Sequence, residues 1–325
     1  MIVDVHAHLV PPDFLLAIRK ERSRLPSLRL IEHEAGLALA FAGGKPSRPI
    51  GKGLSDVAGR VSWMAAQSID RQVVGGWPDW FGYELPAGEG EIWCSLFNAA
   101  QLAAAKAEPR FVPLASVPLQ DGARAAAALK SAMAQGFPGA MISTLPRGIG
   151  SVLDHSDLDP FWKTAAELGA FIHIHPSFDA GDVRVNDYGL ANAVGRISDA
   201  IVAIARLISS GHVARYRNIK IFVPMGAAGL PFLLGRLKRN QKITPGVSDP
   251  VEGLAALYTD SLLHDARVLR FVIEVMGADR VMMGSDMPFP IGEEEPGRII
   301  AAAGLKPDQM ASIRGALAAK LLGLR

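Results

Sequence analysis

A single cysteine, Cys94, stands in 325 residues, which excludes an internal disulfide and fits a reducing compartment. An excess of charge of one sign is also missing. The 34 basic and 32 acidic residues leave a net charge of +2, spread without a block that would recommend a nucleic acid or a membrane surface as partner. No apolar run approaches the roughly 18 residues of a membrane helix. Met1 leads directly into the first apolar run, which leaves no room for a signal peptide. The expectation is a cytoplasmic protein. No Gly-x-Gly-x-x-Gly turn follows an early strand, so an open, doubly wound nucleotide-binding sheet lacks its usual support. What is present is core material: 49% of the residues are hydrophobic and 20% charged. The length suits two average domains or one α/β barrel, which takes about 250 residues or more.

The apolar run Met1-Ile2-Val3-Asp4-Val5 ends in His6-Ala7-His8. Residues two apart on a strand share a face, so both imidazoles aim the same way, about 6 to 7 Å apart. That spacing suits a divalent transition metal, for which imidazole is a preferred ligand. The competing reading is two scattered histidines, because an isolated His-x-His is a moderate signal.

Pro11-Pro12-Asp13 reads as a helix start with Asp13 as its cap, leading into 14–22. Residues 26–53 break the pattern with short alternating runs and glycine-rich turns, which suggest a small antiparallel insertion after strand one. From 54 onward strands and helices alternate. Strands are expected near 72–75, 111–116, 139–143, 170–174, 219–223, 254–259 and 280–283, each followed by a helix. With the opening strand these make eight, and the alternation predicts parallel strands in a closed (β/α)8 barrel spanning 1–325 as a single domain.

A barrel of this kind carries its active site at the C-terminal strand ends. His6 and His8 end strand one; strand five ends in Phe171-Ile172-His173-Ile174-His175; strand eight runs into Gly284-Ser285-Asp286. Three strand ends therefore carry ligand-type residues, and His6, His8, His175 and Asp286 are the predicted metal ligands. Asp286 is also a candidate base. His173 lies one pleat deeper than His175 and reads either as a hydrogen-bonded core residue or as a proton carrier. His155, in the loop after strand four, reads as a solvated loop residue or a rim residue.

These residues in this order, with Ala256-Leu257-Tyr258-Thr259-Asp260-Ser261-Leu262-Leu263-His264-Asp265 and Gly284-Ser285-Asp286-Met287-Pro288-Phe289-Pro290, resemble the amidohydrolase-2 branch of the amidohydrolase superfamily, in particular its aminocarboxymuconate-semialdehyde decarboxylase group. The segments 110–120 and 136–140 resemble the middle of that family, while 26–53 and the loop 77–86 match weakly. The resemblance implies a metal-dependent barrel, usually with Zn2+ and with Mn2+ as the alternative, that removes a carboxylate without an oxidant or an organic cofactor. It places His6, His8, His175 and Asp286 on the family's ligand positions. It also implies a substrate arginine reaching into the neighbouring subunit, which Arg236 matches, and hence a homodimer. Arg48 lies near the family's other substrate arginine.

One departure stands out. Where the family has the histidine that serves as acid and base after strand six, this chain has Met225. A thioether carries no proton near neutral pH. Trp77 and Trp80, in the loop after strand two, either roof a conjugated substrate or pack over a helix. Three readings of function follow. The first is a metal-dependent, non-oxidative decarboxylase of a small aromatic or unsaturated carboxylate. The second is a hydrolase or hydratase on the same barrel, and the third a catalytically impaired member.

Overall fold

Apolar runs bounded by glycine and proline become ten strands in the computed structural model, which describes residues 1–148, 150–177 and 181–325. They are β1 (Val3–His8), β2 (Leu28–His33), β3 (Gly36–Phe41), β4 (Arg71–Gly75), β5 (Phe111–Pro113), β6 (Gly139–Ser143), β7 (Phe171–His175), β8 (Lys220–Phe222), β9 (Thr259–Asp260) and β10 (Val281–Met282). β1, β4 and β5 pair in parallel, as do β6, β7 and β8, and β9 with β10. Backbone hydrogen bonds join these groups into a ring. Ala115 N donates to Gly139 O (3.0 Å), Tyr258 N to Ile221 O (2.8 Å), and Val5 N to Met283 O (2.9 Å). Eight parallel strands thereby close on themselves, which leaves no sheet edge.

The ring is filled, not hollow. Val3, Val5, Val73, Val112, Met141, Phe171, Phe222 and Met282 form one buried cluster, and side chains from so many strands meet only on the barrel axis. A second, larger cluster lies between strands and helices; Ala7, Leu9 and Val74 belong to it. β1 therefore changes face partway along. Between Asp4 and Ala7 its pairing with β4 slips, so that two residues oppose one. Such a bulge re-aims the side chains that follow it. Val3 and Val5 point inward before it, and His6 and His8 point inward after it.

β2 and β3 pair antiparallel, Leu28 opposite Phe41. Leu28, Leu37, Leu39 and Phe41 join Phe14, Trp77, Trp80 and Trp93 in a third cluster, which ties the hairpin to the loop after β4. At the other end of the barrel, Leu317 and Leu321 of the C-terminal helix pack under the axial cluster.

Two local expectations are corrected. Asp13 does not cap its helix: Pro11 is the flanking residue, no side chain caps it, and Asp13 lies in the first turn. The strand expected over 254–259 begins late: its first two residues belong to a helix. Pro250–Ala255 is helical, begun by Asp249, whose side chain accepts from Val251 N at 2.7 Å, and only Thr259–Asp260 is strand. An Asp-Pro helix start outweighs the apolar run that follows it.

Candidate metal centre

β1 delivers His6 and His8, β7 ends in His175, and the turn after β10 presents Asp286 with a left-handed φ of 60°. Aspartate is among the few side chains that tolerate this region. The four ligand atoms lie within 4.8 Å of one another and all four residues are buried. Asp286 Oδ1 is 3.0 Å from His8 Nε2 and 3.5 Å from His6 Nε2.

The outer ring nitrogens are committed elsewhere. His6 Nδ1 bonds Asp260 Oδ2 at 2.8 Å, His8 Nδ1 bonds Gly76 O at 2.7 Å, and His175 Nδ1 bonds Pro176 O at 2.8 Å. Carbonyl and carboxylate partners accept, so the rings donate through Nδ1 and turn their Nε2 lone pairs inward. His6 Nε2, His8 Nε2 and Asp286 Oδ1 are buried without a hydrogen-bond partner. Electron-pair donors held this close, with their protons on the far side, suit a cation between them. The residues present thus fit a divalent ion.

Local electrostatics agree. Burial pushes the Asp286 carboxyl up, but the His6 and His8 rings outweigh it and hold it below its usual value. Burial lowers His8 and, more strongly, His175, so both favour the neutral form a ligand needs. Burial also pulls His6 down; the Asp260 hydrogen bond and the Asp286 charge reverse this and leave it raised.

Behind the ligands lies a buried polar network that sequence reasoning did not assign. Asp4 accepts from Ser285 Oγ (2.6 Å) and Gln72 Nε2 (2.9 Å). Arg60, fully buried, donates to Gln72 Oε1 (2.8 Å) and to the His8 carbonyl. The network ties β1, β4 and the turn after β10 together beneath the two histidines. Asp260 is the other unassigned residue: beyond holding His6, its Oδ1 accepts from Met225 N at 2.7 Å.

Met225 opens a turn with no ordinary helical geometry. Met225, Gly226, Ala227 and Ala228 all have φ between 52° and 62°. Left-handed backbone costs a residue with a Cβ about 1–2 kcal/mol. The turn is held by Met225 N on Asp260 and by Ala227 N on Thr259 Oγ1 at 2.6 Å.

The remaining predicted residues divide. His173 is buried beneath the ligands, its ring 4.9 Å from that of His6 and 4.6 Å from that of Phe222, and burial holds it well below its ordinary pKa. It is not one of the four ligand residues. Arg48 forks onto the buried Asp79 (3.0 and 3.1 Å) and lies 5.7 Å over the Trp77 ring. With Trp77 and Phe289 it lines a cavity of about 310 Å³, and the Phe289 ring is 5.0 Å from that of His8. Trp80 instead packs on Trp77 at 5.0 Å and donates to Ser47. Arg236 is exposed on the helix Leu230–Ile243 and is not one of the four clustered residues. His155 is about half exposed beside Asp157.

A residue that no sequence signal marked is Arg196. It opens the helix Arg196–Ser209 and is 7% exposed, and burial holds its guanidinium below its ordinary pKa against the opposing charges of Asp79 and Asp286.

The family model described as Amidohydrolase matches residues 3–324. A 2-amino-3-carboxymuconate-6-semialdehyde decarboxylase of Dictyostelium discoideum is 28% identical over 307 residues, which cover 92% of this chain and 84% of that protein. Among solved structures, the 5-carboxyvanillate decarboxylase of Sphingomonas paucimobilis superposes with a TM-score of 0.81 at 21% identity, covering 100% of this chain and 99% of that one. A dihydroxybenzoic acid decarboxylase from Polaromonas sp. JS666, with bound manganese and the inhibitor 2-nitroresorcinol, gives 0.81 at 19% identity, covering 99% and 97%.

Proposed function

The chain belongs to the amidohydrolase family, and from that premise we propose that it is a metal-dependent, non-oxidative decarboxylase of a small aromatic or unsaturated carboxylic acid. The observation that carries the metal dependence is the convergence of His6 Nε2, His8 Nε2 and Asp286 Oδ1, buried and without partners, beside His175. The similar proteins named above, all decarboxylases, support the reaction class.

His6, His8, His175 and Asp286 would hold the ion. When bound, it supplies Lewis acidity that polarises a substrate oxygen and stabilises developing negative charge. The carboxylate departs as CO2, the bonding pair stays on carbon, and a proton takes the vacated position. The chain's own contribution is to bind, orient and protonate. Arg48 binds the acid by charge, and Trp77, which lines the same cavity, offers an aromatic surface for a planar substrate. Trp80 backs Trp77. Asp286, through the oxygen not committed to the ion, is our candidate for moving the proton, with His173 as the deeper alternative. Met225 has no proton to give. Its placement on Asp260, the partner of His6, favours a second reading in which turnover is impaired while the ion is retained.

Three imidazoles and one carboxylate suit Zn2+, and manganese in the Polaromonas structure makes Mn2+ the alternative. We read 26–53 as an insertion that brings Arg48 to the cavity, and 1–325 as one domain. We also propose a cytoplasmic homodimer that places Arg236 near the neighbouring site; Phe232, 82% exposed on the same helix, supports a covered face there.

The test is metal analysis followed by a CO2-release assay over hydroxybenzoates and carboxymuconate-like acids, with Zn2+ or Mn2+ restored. Stoichiometric metal and released CO2 are expected. Metal below about a tenth of an equivalent at saturation overturns the site. Metal without CO2, but with solvent oxygen-18 in a product, assigns a hydrolase or hydratase, and metal without either assigns the impaired member.

A further inference from the structure

The turn after β10 that presents Asp286 is closed at its neck. Glu293 N donates to Ser285 O at 2.8 Å, so the chain leaves residue 285, passes through Asp286 and Phe289, and returns to where it left. Inside the loop, Phe289 N donates to Asp286 O (3.0 Å) and Gly292 N to Phe289 O (2.9 Å). The neck is tight, since a Cβ on Gly292 would run into the Ser285 carbonyl. One side of it is anchored below, where Ser285 N and Oγ donate to the buried Asp4 (3.0 and 2.6 Å). A side chain anchors the other. Glu293, 10% exposed, accepts from His264 N at 3.1 Å, and His264 Nδ1 lies 3.1 Å from the same carboxylate oxygen. His264 ends the short segment that Asp260 begins, between β9 and the helix Ala266–Met276. Asp260 bonds the ring of His6 and, within that segment, accepts from Leu262 N at 3.3 Å. Glu293 thus joins a loop that carries one ligand residue to a segment that orients another. His264 has a left-handed φ of 58°, which persists only where the surroundings hold it, and the Glu293 oxygen on its amide is such a hold.

We propose that Glu293 is a positioning residue for the metal group: by tying the Asp286 loop to the segment of Asp260, it fixes the Asp286 carboxylate against the His6 ring. This rests on the metal dependence of the decarboxylase reading and adds to it a residue outside the four ligands. The same loop brings Pro288, Phe289 and Pro290 to the cavity, so what sets the ligand also sets the wall.

The experiment is titration of metal-stripped protein with Co2+, whose visible absorption reports coordination geometry, with the affinity taken from competition with a chelating dye. Glu293→Ala is expected to weaken Co2+ on the order of tenfold and to change the absorption band of the saturated protein. Glu293→Gln, whose amide oxygen can still accept from His264 N, is expected to stay within about twofold of wild type and to keep its band. Glu293→Asp keeps the charge but falls a methylene short of His264, and is expected to follow Glu293→Ala. Should Glu293→Ala fail to fold, the contrast between the Asp and Gln variants decides. Wild-type affinity and band in Glu293→Asp, or a loss in Glu293→Gln as large as in Glu293→Asp, overturns the proposal. So does a Glu293→Ala protein that melts earlier yet binds Co2+ as wild type does, because its role would then be structural only. Any of these, with Co2+ bound by wild type, leaves the decarboxylase reading standing. Wild-type protein that binds no Co2+ removes both.

Discussion

Asp260 shows how one residue governs a site it does not enter. Its carboxylate fixes the tautomer and tilt of His6 from one oxygen and the Met225 amide from the other. Asp260→Asn keeps the shape and removes the charge, and should lower metal affinity about 10–100-fold, measured by competition with a chelating dye. The buried histidines set a pH response as well. His173 and His175 are depressed below 6.5 in the folded chain, so in metal-stripped protein they favour folding above 6.5, and that contribution is lost as pH falls below it. His6, raised, works the opposite way: its contribution is present below 6.5 and is lost as pH rises through the folded value. Melting temperatures of chelator-treated protein at pH 7 and pH 5 should therefore show a smaller acid loss in His173→Asn than in wild type. The four candidate ligands were legible as a group because each lies near or just past a strand end and three belong to His-x-His patterns. Asp260 was not, since its partner lies 254 residues away, and Arg196 was not, since an arginine at a helix start carries no signal of what it faces.

Among the elements, the turn after β8 carries the clearest strain. Ala227 is fully buried with a φ of 55°, where a Cβ is penalised. Ala227→Gly should stabilise the fold by up to about 1 kcal/mol in urea unfolding. Ala203→Gly, in the middle of the regular helix Arg196–Ser209, should cost about 1 kcal/mol. A destabilising Ala227→Gly would show that the turn is relaxed by contacts that outweigh its geometry. Element order was readable from alternation, because parallel strands and crossover helices impose different periods on the apolar residues. The β1 bulge was not, because nothing in Val3-Asp4-Val5-His6 says where pairing slips; that depends on β4. Nor was the helix at 250–255, where Asp249-Pro250 is a start signal that the apolar residues behind it hid.

For the whole molecule, the exposed Phe232 and Arg236 share one helix, and light scattering should give twice the 34.6 kDa of one chain if that face pairs. Phe232→Lys should then halve the measured mass, because a charge in an apolar contact loses its hydration. The barrel ring has a seam where β10 meets β1, the place at which the first strand of the chain is reached by the last. His6 and His8 lie on one side of that seam and Asp286 on the other. An ion gripped by all three is consequently a latch across nearly the full length of the chain. Because the three meet only when the ring is shut, an ion bound there would favour the closed ring over any opened one.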